Sequence, residues 1–101
     1  MTNLVPLLED SLVVWRAAGR VEPSGEGAVI RAAGGGPIVW VVPLNDPILP
    51  LRWQVRIERP GGTATTKSYA ALPGMLRAVR LALDPEASQA RLAMALGAGL
   101  T

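Results

Sequence analysis

The chain predicts an α+β domain, a four-stranded antiparallel meander with one helix before it and two after it, packed mainly on one face. Three observations carry this. From Leu51 to Glu58, the residues Leu51, Trp53, Val55 and Ile57 alternate with Arg52, Gln54, Arg56 and Glu58, the period of a strand with one buried and one wet face. Leu72, Met75, Leu76, Val79 and Leu83 recur at the spacing of one helix face. Two glycine-rich turns, Gly34-Gly35-Gly36 and Arg59-Pro60-Gly61-Gly62, each separate a pair of strand-like runs.

In chain order, Leu4 to Ala18 places Leu4, Leu7, Leu8, Leu12, Val14 and Trp15 on one half of a helical wheel, with Glu9, Asp10 and Arg16 on the other and only Val13 misplaced. Asn3 is the expected N-cap, Pro6 falls in the tolerant first turn, and Gly19 is the expected left-handed stop. Val and Trp also favour sheets, so Leu12 to Val21 as a strand is the competing reading; segregation on the wheel favours the helix. Glu22 to Gly27, with Pro, Ser and two Gly, reads as a loop. The first hairpin pairs Ala28–Ala33 with Pro37–Pro43. Its second arm, Ile38 to Val42, is apolar on both faces, as in a central strand covered on both sides. The second hairpin pairs Leu51–Arg59 with Thr63–Tyr69 through a turn that has Pro60 and Gly61 where type II wants them. The helix over 72–83 turns Arg77 and Arg80 outward. A last helix is announced by Asp84-Pro85-Glu86, an N-cap, an N1 proline and a first-turn acid, and runs to Leu96.

The 101 residues are 50% hydrophobic and 18% charged, which fits one soluble domain with one modest core. Cys and His are absent, so disulfides, a thiolate nucleophile, an imidazole base and a Cys/His zinc site are excluded. Missing disulfides suit a reducing cytoplasm, which is the expected location. The longest apolar stretch, Ile38 to Leu44, is far short of the roughly 20 residues that cross a bilayer, so neither a membrane span nor a cleaved signal peptide is expected. The glycines are followed by no Lys-Ser/Thr and form no Gly-x-Gly-x-x-Gly, so they read as turn residues and no cofactor is expected. Glu9 and Asp10 diverge by about 100° on a helix and cannot share a metal or a proton. Trp15, Trp40 and Trp53 each fall on an apolar face and, with no Phe in the chain, are expected to fill the core.

Two features exceed what a core needs. The connector Pro43 to Pro50 carries Leu44, Ile48 and Leu49 where polar residues are usual. Leu81 lies opposite the core stripe of its helix, and the last helix has Leu92 and Leu96 on one side and Met94 on the other. Apolar helix faces of low charge are buried either in their own fold or in a partner. Charge is uneven as well: residues 1–50 hold 3 basic and 5 acidic side chains, whereas residues 51–101 hold 7 basic and 3 acidic. Arg52 and Arg56 share the wet face of one strand, with Thr65 and Lys67 expected beside them and Arg59 nearby; Tyr69 is the only aromatic offered there to stack a base.

The order of helix, strands and helix is similar to that of double-stranded-RNA-binding domains. The basic run that opens their last helix is missing, with Leu72-Pro73-Gly74-Met75 in its place, and no residue role is carried over. The function expected from the sequence is a non-enzymatic interaction module, a homodimer or a subunit of a larger assembly. It would bind through Leu44, Ile48, Leu49, Leu81, Leu92, Met94 and Leu96. The alternative is a weak, sequence-independent nucleic-acid binder using Arg52, Arg56, Arg59 and Lys67.

Overall fold

The computed structural model describes residues 3–45, 47–48 and 50–83. Helix α1 (Leu4–Trp15) is followed by strands β1 (Gly19–Ser24), β2 (Gly27–Ala32), β3 (Ile38–Pro43), β4 (Trp53–Glu58) and β5 (Ala64–Tyr69), and by helix α2 (Leu72–Leu83). The strands form one antiparallel sheet in the order β1-β2-β3-β4-β5. This is the expected meander with one more strand. The last expected helix, from Asp84 to Leu96, lies outside the described residues.

The extra strand is β1, in the region read as helix end and loop. Its two-residue turn, Gly25-Glu26, has Gly25 at φ 57 and joins Ser24 to its partner Gly27. Pro23 is tolerated because β1 is an edge strand, bonded only to β2, so a missing N–H interrupts no inner ladder.

Asn3 caps α1 as expected, its side-chain oxygen accepting from the Val5 N–H at 3.3 Å. The helix stops earlier than Gly19. Arg16 takes the left-handed conformation (φ 55, ψ 37), and Ala17 N–H closes the end onto the Leu12 carbonyl at 3.0 Å. The Ala18 carbonyl already accepts from Ala33 N–H, so Gly19 is drawn into the sheet instead of ending the helix.

Both helices cover the same sheet face. Leu4, Leu8 and Leu12 of α1 and Met75, Val79 and Ala82 of α2 form one buried cluster with Ala28, Ile30, Val39, Val41 and Val55. Helix α1 lies against β1 and β2, and α2 against β4 and β5. Val14, placed on the apolar half of the wheel, is as exposed as Val13, because the buried stripe of the helix runs through Leu4, Leu8 and Leu12. The second hairpin closes as expected, with Gly62 N–H bonded to the Arg59 carbonyl at 3.2 Å and Gly61 at φ 101.

Candidate interaction surface

The sheet face away from the helices is the most informative surface. Residues paired across antiparallel strands share a face, so the registers define rows across it. One row reads Arg20, Arg31, Ile38, Glu58, Ala64. The next reads Glu22, Val29, Trp40, Arg56, Thr66. Beyond it, Val42 faces Gln54, which faces Ser68.

Val29, Ile38, Trp40 and Val42 therefore form an apolar patch at the centre of this face. Among the described residues, no helix lies over it. Val29 is only 5% exposed and yet stands apart from the core cluster, flanked by Glu22 and Trp40, whereas Val42 is 38% exposed. Among the described residues, β3, expected to be covered on both faces, is covered on the helix side.

Charges border the patch. Glu22 lies 3.6 Å from Arg31 and 3.9 Å from Arg20 in ion pairs; Glu58 and Arg56 pair at 2.8 Å. The Arg56 guanidinium also sits 5.6 Å from the centre of the Trp40 ring. These ion pairs are solvent-accessible and stabilise the fold little, so the groups can exchange partners at small cost.

The expected basic strip is divided between two faces. Arg52, exposed just ahead of β4, and Arg56 follow the open-face alternation. Lys67 faces Val55 and Thr65 faces Ile57, which puts both on the helix side. There Arg59, Thr65, Lys67, Tyr69 and Leu81 line a groove beside α2. Tyr69, opposite Trp53, packs against the core. The aromatic on the open face is Trp40, which the sequence reading assigned to the core. Trp15 and Trp53 do pack against the core and are half-buried; Gln54, on the face opposite Trp53, is also half-buried rather than exposed.

The expected apolar interface is only partly within view. Leu44 is half-buried and its N–H donates to the Arg52 carbonyl at 2.8 Å, which ties the connector to the start of β4. Ile48 is 87% exposed, and Leu81 is half-buried. Leu49, Leu92, Met94 and Leu96 lie outside the described residues. Among the described residues there is no cluster of three or more acidic, His or Cys side chains able to hold a metal, and no helix long and apolar enough to cross a membrane.

Comparison of the chain with protein-family models, with curated proteins and with solved structures finds no match.

Proposed function

We propose that the protein is a non-enzymatic interaction module of the cytoplasm that docks another protein on the open face of its sheet. The observation that supports this is the patch of Val29, Ile38, Trp40 and Val42, with both described helices on the opposite side. A two-layer fold places its apolar residues on one sheet face and polar residues on the other. Here the second face is apolar at its centre and charged at its border, the layout of a protein interface. The docking surface moves from the connector and helix residues expected from the sequence to β2, β3 and β4.

A photo-crosslinking amino acid at Val42 tests the reading in cells that express the chain. Adducts are expected from Val42 and not from Val13, which is 78% exposed on α1. Equal yields from the two positions, or none from Val42, overturn it.

Nucleic acid is the second reading, favoured by Trp40 lying among Arg31, Arg52 and Arg56 on one face. It ranks lower for two reasons. The Arg56 guanidinium occupies one side of the ring where a base would stack, and Glu22 and Glu58 already pair with three of the arginines on that face. On this reading, Arg52→Ala with Arg56→Ala lowers affinity for single-stranded DNA or RNA and reduces the salt dependence by about 0.7 per lost phosphate contact. Fluorescence anisotropy at low salt checks it, with Arg77→Ala and Arg80→Ala as the control pair.

A further inference from the structure

Building on the open sheet face as the docking surface, we infer that its occupant is a second copy of this chain, with the two sheets packed face to face about a two-fold axis that runs along β3.

The argument comes from the order of charge across the rows. In the row through Ile38, the bases Arg20 and Arg31 lie on the β1–β2 side and the acid Glu58 on the β4 side. In the row through Trp40 the order is reversed, with Glu22 on the β1 side and Arg56 on the β4 side. A half-turn about β3 keeps each residue in its row and exchanges the two sides. Arg31 then comes to face the partner's Glu58, and Val29 faces the partner's Arg56, with Glu22 one strand beyond it. Ile38, Trp40 and Val42 each meet their own copies along the axis, so the apolar centre closes on itself.

Other placements of the axis do worse. A two-fold axis across the strands through Trp40 stacks Glu22 on Glu22 and Arg56 on Arg56. Sliding that axis to midway between the two rows sets Arg20 on Glu22 and Glu58 on Arg56 but carries Val42 out of the contact. Of these placements, the axis along β3 is the one that sets Arg31 against Glu58 while keeping Ile38, Trp40 and Val42 on their own copies.

Size sets the strength. Strands of six residues, spaced as in any sheet, span about 20 Å by about 19 Å. That is a small specific interface, in the range of weak or transient association, so a dissociation constant on the order of tens of micromolar is expected.

Analytical ultracentrifugation of the full chain from about 5 μM to 1 mM tests this. The average mass should climb toward twice that of the chain, and Val42→Asp should hold it at the monomer while Val13→Asp leaves it unchanged. The decisive arm uses Arg31→Glu and Glu58→Arg. Each variant alone sets like charges against each other twice in its own dimer and should associate at least about tenfold more weakly. An equimolar mixture should restore association to within about threefold of the original, because both cross-axis pairs become opposite in sign. Any folding defect is shared by the separate and mixed samples, so it cannot imitate the rescue. Dimers without rescue in the mixture overturn the axis. A chain that stays monomeric at 1 mM but cross-links another protein from Val42 overturns self-association and leaves the docking reading in place. A monomer with no such cross-link overturns both.

Discussion

Gly27 sits at the start of β2, against the backbone of Val41 and Val42 in β3. A Cβ added there would run into the Val41 carbonyl oxygen, and that oxygen is backbone, so it cannot swing aside. Gly27→Ala should cost about 2 kcal/mol or more, because relief requires the two central strands to move apart. Arg16 presents the opposite case. It is the one described non-glycine residue at positive φ, and Arg16→Gly should stabilise by roughly 0.5–1 kcal/mol by removing the left-handed penalty. Within the core, Leu8→Ala should cost about 2–5 kcal/mol, since Leu8 is fully buried, while Val13→Ala should stay within about 0.5 kcal/mol. Urea melts of the variants check all of these. At this scale, what the sequence reveals depends on whether a residue's environment is local. Asn3 could be recognised as a cap because its partner is two residues away. The crowding at Gly27 depends on β3, more than ten residues on, and no local pattern reveals it.

The strands differ in how firmly they are held, and this ranks their hydrogen exchange. β3 is bonded on both sides and buries Val39 and Val41 completely; β5 is an edge strand exposed throughout except at Tyr69. Amides of Val39 and Val41 should therefore exchange most slowly, and those of β5 earliest among the strands, an order that native-state exchange followed by NMR will display. Comparable protection in β5 and β3 would mean that something covers that edge. The same contrast explains which elements could be read. The strict alternation of β4 and the helical spacing of α2 report their own burial. β1 is hidden from such a reading because an edge strand can carry Pro23 and turn at Gly25, the residues that signal a loop. Lys67 was placed on the wrong face for another reason. A turn closed between Arg59 and Thr63 pairs odd-numbered residues with odd-numbered ones, so Lys67 belongs with Val55 rather than with Arg56. The turn length therefore fixes the face of Lys67, which its charge does not.

Across the described residues, two helices and one sheet form two layers, and the second sheet face carries Val29, Ile38, Trp40 and Val42 at its centre. The sequence pattern of β3 announced an apolar strand on both sides, but it could not say whether the second cover comes from the chain or from another molecule. A cover supplied by a second copy ties stability to concentration. The dimer is made only of folded chains, so association draws the unfolding equilibrium toward the native state by mass action. With the protein about tenfold above its dissociation constant, the gain is about 1 kcal/mol, and the melting temperature should rise by several degrees as concentration increases from the low micromolar to the high micromolar range. Val42→Asp should abolish this rise, since a carboxylate in the apolar centre must keep its water. It should leave the low-concentration melting temperature nearly unchanged, because Val42 already meets solvent when the chain is alone. Differential scanning calorimetry at matched pH and salt separates the two effects. A melting temperature independent of concentration in the original chain, or a rise that survives Val42→Asp, would show that this face is not where the copies meet.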